Sequence, residues 1–518
     1  MTWAAMSTPL SFSRLSRLLT QVLIGQKLYP TTAAEQAAGA VVVNPQVPHH
    51  LAVGHVIPDR YKTNTTPGTT DMTAAITTAA AVAALLVPSV AIFNYGSASV
   101  GLLGGTGQPN LYAVSGVSVP TGVILQGVGG IVGVVQLAGN AGVVVDTPLY
   151  NGGQTPHYNG GLRNVAVMGT GTGTGNIGLR INNAQNFVVN TVRLFNLGGP
   201  GLQVQTQYNG ATTGNAGYPQ SITTTAYDVR AFQCTLAVTS STGQFGSFDI
   251  QGTDHEFTDC ETYSKATGGP GYQGGNRVGW MIRGVSGASF VRCRGDLHDV
   301  GWYFDVNSNF NVQKGCLTLS SFAQGVICYG FRNRFDIVVD TASSAGTNSY
   351  DAIEDYGVNN NWTGRVSNVQ NSAIQPRYGF NAQNTVTTEP TYIDGNFRME
   401  AWQSAPINIA AGGAVAWAIP ETSVWSPLTA NAAAPAITSA GATPLRNFLT
   451  GNTAATAYTD FSGGWAGQRI SVLVLDNFTT FSASGNIQNK TGAAVTAING
   501  VVYDFVKKAT GAWVLLNP

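Results

Sequence analysis

Apolar and polar positions along this 518-residue chain alternate in short runs, and the alternation is interrupted by turn residues every few positions. From about residue 110 to 390 no segment carries the 3.6-residue spacing of an amphipathic helix. Pieces such as Gly178-Leu179-Arg180-Ile181 predict short strands separated by Gly, Asn and Thr turns. One helix is expected, over Met72 to Ala84. The alanines favour it, and Thr70 or Asp71 stands where an N-cap is needed. The apolar stretch Ala79 to Phe93 is short for a membrane span and is broken by Pro88, so it reads as a helix followed by a strand. The final seventy residues alternate again, as in Ile470-Ser471-Val472-Leu473-Val474, and predict a small C-terminal β-domain.

The strands repeat. A glycine followed by alternating apolar residues recurs at Gly178, Gly201, Gly279, Gly301 and Gly325, at 22 to 24 residues where no insertion intervenes. A second unit sets an apolar residue shortly before a cysteine, at Cys234, Cys260, Cys293 and Cys316. A period of this length with two or three strands per repeat predicts a parallel β-helix, in which each strand pairs with the coil above and the coil below, ~4.8 Å away. The expectation is an all-β solenoid with the four thiols in one interior column and the glycines at corners that need unusual dihedrals. The organisation expected is a lead segment at 1–55, a neck with its capping helix at 56–110, coils at 111–400, an Ala/Pro/Thr-rich linker at 401–445 and the β-domain at 446–518.

Composition narrows the function. Lys+Arg 25 balance Asp+Glu 25, and only 10% of residues are charged, against about 25% in ordinary domains. The basic surplus of a nucleic-acid binder is absent, and so is the pull toward an anionic membrane. Five cysteines without a CxxC spacing make neither a disulfide framework nor a zinc ribbon, and no cofactor or metal is expected. Leu18 to Ile24, after Arg14 and Arg17, is too short for a secretory h-region. The chain therefore reads as made in the cytoplasm without a membrane anchor.

Particular residues carry a resemblance. Tyr29-Pro30 with Thr32-Ala33-Ala34-Glu35-Gln36-Ala37-Ala38-Gly39, then Asp59-Arg60-Tyr61, then Pro67-Gly68-Thr69-Thr70-Asp71-Met72-Thr73-Ala74-Ala75-Ile76, resembles the opening of bacteriophage tailspike proteins with a pectate-lyase-like β-helix. Val119-Pro120-Thr121-Gly122-Val123-Ile124-Leu125-Gln126-Gly127-Val128-Gly129 is similar to their first coil, and the likeness runs over about residues 29–400. It implies a right-handed parallel β-helix and a homotrimer on a virion tail, with the N-terminus toward the tail or an adaptor protein. It also implies binding, and often cleavage, of host surface polysaccharide. The polygalacturonase and pectate-lyase site patterns are missing, which removes pectin and calcium from the expectation. Hydrolase, lyase and binding-only spike stay open, as does a bacterial carbohydrate-active enzyme.

Cleavage on such a scaffold needs carboxylates on the outside of the coils. Asp296 and Asp299, in the turn Gly295 to Gly301 and without an evident cationic partner in sequence, are the expected acid–base pair, with Glu261 as an alternate. His298, Arg294, Tyr303, Asp259 and Asp305 are assigned to substrate binding, His298 also serving as a base in a lyase reaction. Aligning the repeats sets Asp259 beside Arg292, Glu261 beside Arg294 and Arg283 beside Asp305, pairs that read equally as rung-to-rung salt bridges. The same alignment points Trp280 and Trp302 inward and Tyr303 outward. Asp351, Glu354 and Asp355 form a further acidic group. The insertions at Tyr208 to Tyr218 and Lys265 to Asn276, with Tyr263 and Tyr272 flanking or within them, are candidate groove walls.

Overall fold

The computed structural model describes residues 28–86, 98–103, 111–148, 157–205, 207–208, 211–212, 222–237, 245–264, 277–342, 349–369, 375–386, 389–394, 397–409, 415–417, 426–437, 447–464, 468–489 and 491–517. The start of the lead segment, the strand expected after Pro88 and the insertion Lys265 to Asn276 lie outside these residues, as does most of the insertion that begins at Tyr208. The chain forms two compact units, Met1–Val238 with Ser247–Glu261, and Thr239–Gly246 with Thr262–Pro518.

The first unit opens with a knot of polar contacts. Thr32 caps the helix Ala33–Ala37 in a reciprocal capping box with Glu35. Glu35 then receives the buried guanidinium of Arg60, whose Nε donates to Oε1 at 2.5 Å. The remaining Arg60 donors reach the carbonyls of Val47, Tyr29 and Pro30. Tyr61 adds a bond from its hydroxyl to Glu35. Burial pushes the Glu35 carboxyl up, but Arg60, the Thr32 amide and Tyr61 together hold it below its ordinary value. The helix Thr73–Ala84 buries Ala75, Ile76, Ala79, Ala80, Val82 and Ala83. Its Met72 cap residue supplies no side-chain bond, but Asp71 Oδ1 accepts from the Thr73 amide at 2.9 Å.

Parallel strands then stack in register. Gly161–Met168, Ala184–Phe195 and Ile222–Phe232 lie over one another with Val165, Val192 and Val229 in one column, and Glu256–Thr258 follows. A second face is built from Val145–Asp146, Leu179–Asn182, Leu202–Gln205 and Phe245–Ile250, also parallel. Gln207–Tyr208 and Ala211–Thr212 form a small antiparallel pair at the start of the first insertion.

The second unit repeats the plan. Arg277–Ile282, Val300–Phe304, Val326–Cys328, Ile353–Asp355, Tyr378–Ala382 and Ala405–Ile409 make one parallel face. Ser289–Val291, Val312–Lys314, Arg334–Asp340, Asn361–Ser367 and Thr391–Ile393 run through another. Trp280 and Trp302 are fully buried and stacked, centroids 4.6 Å apart and 7° from parallel, as the glycine alignment predicted. The fold is the expected parallel β-helix.

Two features of the repeat differ from expectation. The thiols are buried but do not share one column. Thr258 pairs with Tyr227, so the next steps set Cys260 against Val229. Phe232 pairs with Phe195, so Cys234 continues against Leu197 at a different corner. In the second unit Arg294 pairs with Leu317, which stacks Cys293 on Cys316, and Ile337 follows. The repeat glycines, in turn, keep ordinary dihedrals. A Cβ on Gly279 would lie 2.6 Å from the Gly301 carbonyl, and one on Gly301 2.7 Å from that of Gly325, so close approach of the next coil selects glycine. The left-handed corners fall to other residues: Gln233, Asp259, Arg292 and Gly315 each precede a cysteine with φ of 53°, 54°, 52° and 61°.

A third corner carries an asparagine ladder. Phe310, Arg332 and Asn359 are left-handed, and each turns the following asparagine inward. Asn311 N and Nδ2 donate to Asn333 Oδ1, and Asn333 N and Nδ2 donate to Asn360 Oδ1.

Parts of the stretch expected as a linker are paired strands. Ala405–Ile409 and Val415–Trp417 still pair with coils, and Ser426–Pro427 pairs with Asn447–Leu449 of the C-terminal module. Its Ala/Pro/Thr composition conceals apolar anchors such as Leu428 and Ile437, which enter that module's core with Phe448, Phe461, Phe481, Phe505 and Trp513. The module differs from the coils in pairing Arg469–Leu473, Val502–Lys507 and Trp513–Leu515 antiparallel.

Two substitutions test these supports. Arg60→Ala leaves the Glu35 carboxylate buried without its cation, and a loss of about 3–5 kcal/mol in denaturant unfolding is expected. Asn333→Ala strips the middle of the asparagine ladder and is expected to cost about 1–3 kcal/mol by the same measurement, whereas an exposed asparagine such as Asn307 changed to alanine should cost far less.

Candidate functional site

The turn that follows the strand Arg294–Asp296 is organised by its own backbone. Leu297 takes a φ of 56°, Ser320 51° and Thr341 55°. The Leu297 amide donates to Leu319 O, the Ser320 amide to Asp340 O and the Thr341 amide to Ser367 O. These are corners stacked coil on coil, and the two aspartates expected to act on a substrate sit among them. Asp296 is 4% exposed; Arg294 Nη2 donates to its Oδ2 at 2.7 Å, and the Leu319 amide to its Oδ1 at 3.1 Å. The reading of Asp296 as lacking a cationic partner is thus corrected. Residues i and i+2 of a strand share a face, so the arginine two positions earlier reaches it. Asp299, 7% exposed, accepts the Arg277 amide on Oδ2 at 2.9 Å.

His298 is corrected more sharply. The left-handed Leu297 breaks the in–out alternation and turns the imidazole into the coil, where it is fully buried. Its Nε2 lies 3.0 Å from Thr262 Oγ1, and Nδ1 is buried without a partner. Burial pulls its pKa down to about 3, helped by the charge of Arg277 and opposed by Thr262. A neutral interior imidazole does not contact an outer-surface sugar.

Asp259 and Glu261 belong to the first unit; Arg292, Arg294 and Asp296 belong to the second. Asp259 occupies a left-handed corner, and Glu261 Oε2 has Arg230 Nη1 at 3.8 Å. Asp305 caps a turn, its Oδ1 accepting from the amides of Gly284 and Asn307 and the hydroxyl of Ser308. Tyr303 is half-buried and lies on the outer side of its strand, as expected.

Tyr303 leads to a group that the sequence reading did not assemble. Register places Tyr303, Ile327, Glu354, Asn381 and Asn408 in one outward column, on five successive coils. Two residues along each strand, the neighbouring column reads Asp305, Tyr329, Tyr356 and Gln383. The Tyr303 and Tyr329 rings are 5.8 Å apart, and Tyr329 stacks on Tyr356 at 4.5 Å and 10°. Glu354, 8% exposed, accepts from Gln324 Nε2 at 3.0 Å and from the Tyr356 hydroxyl at 3.1 Å. Burial raises its pKa, and the Asp351 charge adds to this against the Gln324 and Tyr356 bonds. Asp351 is fully buried and held by Arg377 through two bonds, at 2.8 and 2.7 Å, and by Asn381 at 2.6 Å. Asp355, on the same strand as Glu354, points inward instead. It is bonded by Asn360, Trp362, Thr391 and the Gly357 amide, and burial lifts its pKa to about 6. The missed signal is a continuation of the glycine repeat past residue 350. Ala352-Ile353-Glu354-Asp355-Tyr356 sits in register with Gly325-Val326-Ile327-Cys328-Tyr329, with alanine in the glycine position.

The thiols are structural. Burial pushes Cys234 and Cys328 far up and Cys316 to about 12, so none of these supplies a thiolate near neutral pH. Among the described residues no three or more His, Cys, Asp or Glu side chains are grouped to hold a metal ion. Among the same residues no helix is long and apolar enough to cross a membrane.

No protein-family model and no curated protein matches the chain. Several solved structures resemble it in coiling. ORF18 of Geobacillus virus E2 is 12% identical, over 90% of this chain and 77% of its own, with a TM-score of 0.46. The gp42 tailspike of Acinetobacter phage vb_AbaP_AS12 is 12% identical, over 95% of this chain and 86% of its own, at 0.43. The A-module of the mannuronan C-5 epimerase AlgE6 of Azotobacter vinelandii is 13% identical, over 68% of this chain and 96% of its own, at 0.38. None of these likenesses bears on the chemistry of the residues above.

The buried imidazoles set a pH dependence. His298 and His255 have folded pKa values of about 3 and about 4, below the 6.5 of the free side chain. The unfolded chain therefore binds a proton as pH falls through 6.5 and the folded chain does not, so stability is lost on acidification. Asp355 acts oppositely between about 6 and 3.8, because there the folded chain holds the extra proton. His298 alone contributes a loss of about 2 kcal/mol at pH 5 relative to pH 7. Urea unfolding at both pH values is expected to show that loss in the native protein and to show it reduced by about this amount in His298→Gln. Equal losses in the two proteins would contradict a buried neutral His298.

Proposed function

We propose that the chain is a phage tailspike that binds a bacterial surface polysaccharide and depolymerises it, working as a homotrimer joined to the virion tail or an adaptor through its N-terminal segment. The observation that carries the glycan reading is the double outward column of the second unit. Tyr303, Tyr329 and Tyr356 follow one another there on three successive coils at the ~4.8 Å step, with the carboxyls of Asp305 and Glu354 beside them and the amides of Asn381, Gln383 and Asn408 on the next two coils. A linear polymer of sugar hydroxyls is the ligand such an array suits. The sequence likeness of the neck and first coil supports the tail assignment, and the Arg60–Glu35 knot gives that neck a firm base.

Within this reading Asp296 and Asp299 are the proposed acid–base pair, with Glu261 as alternate. Glu354 joins them as a carboxyl of the outward column that its surroundings bias toward the protonated form. A second reading, receptor binding without turnover, is favoured by one observation: Asp296 and Asp299 both already accept backbone amides. The full chain, spotted on lawns of capsulated and O-antigen-bearing strains, is expected to give a halo on a susceptible strain. Mass spectrometry of the released fragments then separates elimination, which leaves an unsaturated end, from hydrolysis. Loss of the halo by about 100-fold or more in Asp296→Asn, Asp299→Asn or Glu354→Gln, with melting and glycan binding retained, assigns the acid–base residue. Binding without a halo in the unaltered protein selects the second reading.

A further inference from the structure

We infer that the polysaccharide is uncharged, built of neutral or N-acetylated sugars, and that it lies along the Tyr303–Tyr329–Tyr356 ladder. This rests on the glycan reading above and names its substrate class.

Charge on the face decides the class. An acidic polysaccharide brings a carboxylate or sulfate at regular intervals, and each must meet a cation or a surplus of donors when it is desolvated. The described cations bordering these two columns each stand beside a carboxylate, by contact for Arg377 and by register for Arg283. Arg377 is gripped by Asp351 through two bonds, and its guanidinium lies 5.1 Å from the Tyr378 ring. Arg283 stands in register against Asp305, one step beyond the Ile282–Phe304 pair. With Glu354 added, three carboxyl groups (Asp305, Asp351 and Glu354) stand beside two guanidinium groups (Arg283 and Arg377) among the described residues of this face, which leaves no surplus of cations for a uronate.

What the face offers instead is neutral. Tyr329 and Tyr356 stack on each other, which uses one face of each ring within the protein, and the Tyr356 hydroxyl donates to Glu354. Beside them stand the amides Gln324, Asn381, Gln383 and Asn408. Asn381 Oδ1 accepts from both Gln383 Nε2 and Asn408 Nδ2, at 2.6 and 2.9 Å, which fixes the order of donors and acceptors along the column. Phenol hydroxyls followed by amides suit sugar hydroxyls and acetamido groups, and such contacts lose little to added salt.

The test uses the full chain on a printed array of bacterial surface oligosaccharides, neutral, N-acetylated, uronate-bearing and sulfated, read at 50 and 500 mM NaCl. The expected result is binding to neutral or N-acetylated members, changed less than about twofold by salt. Tyr329→Ala and Tyr356→Ala should each weaken it by about tenfold or more. Tyr329→Phe and Tyr356→Phe, which keep the stacked rings and remove the hydroxyls, should weaken it by about threefold or more and cover the case in which the alanine variants fold poorly. Hits confined to uronate-bearing or sulfated glycans, with affinity falling about tenfold at high salt, overturn the uncharged assignment and leave the tailspike reading standing. Neutral hits that none of the four variants weakens overturn the location. Binding to no glycan at all overturns this inference and the polysaccharide reading together.

Discussion

Register between parallel coils is the constraint on which the rest depends. In each unit a strand's backbone groups are satisfied by the coil above and the coil below, so a corner displaced by one residue would break two ladders at once. Corners of the same hand are therefore stacked on corners of the same hand. Leu297, Ser320 and Thr341 are left-handed in successive coils, and so are Phe310, Arg332 and Asn359. Residues other than glycine, asparagine and aspartate carry roughly 1–2 kcal/mol against them in that conformation. The strain persists because the amide-to-carbonyl bonds between neighbouring corners, and the buried asparagines behind one set of them, are made only in that geometry.

This constraint sorts the carboxylates. Corners expose backbone amides that need acceptors, and an aspartate is the acceptor of choice. Asp296, Asp299 and Asp305 each take one or more such amides. A carboxylate in mid-strand has no such duty when it faces outward. Glu354 is placed this way, and it meets side chains instead: Gln324, Tyr356 and, through charge, Asp351. The outward columns are thus where sequence is released from the fold, and where a row of groups can be set for a long ligand.

The stacked interior does the converse. Trp280, Trp302, Phe304, Phe335 and Trp362 form a continuous aromatic run, with Trp280 on Trp302 at 4.6 Å and Phe335 on Trp362 at 3.8 Å. Asp355, a buried carboxylate beside this run, is tied by Trp362 Nε1 and three further donors. Such a core is stiff, and stiffness keeps the outer columns at a fixed step.

Period, strand content and the inward or outward sense of Trp280, Trp302 and Tyr303 were legible in the sequence, because glycine spacing and two-residue alternation act locally and repeat. The reason for the glycines was not, since the contact that excludes a Cβ at Gly301 comes from the carbonyl of Gly325 in the next coil. Nor was the division of the cysteines. An apolar residue before a cysteine occurs at two different corners, and only pairing registers separate Cys234 from Cys260. His298 was misplaced because the left-handed Leu297 turns the side chain that follows it to the other face, and no local pattern announces that in leucine. The sequence by itself determined that the chain would coil, for the periodicity of burial demands it. Which residues meet between coils was decided by the tertiary structure, because that depends on insertion lengths and corner dihedrals that alternation does not encode.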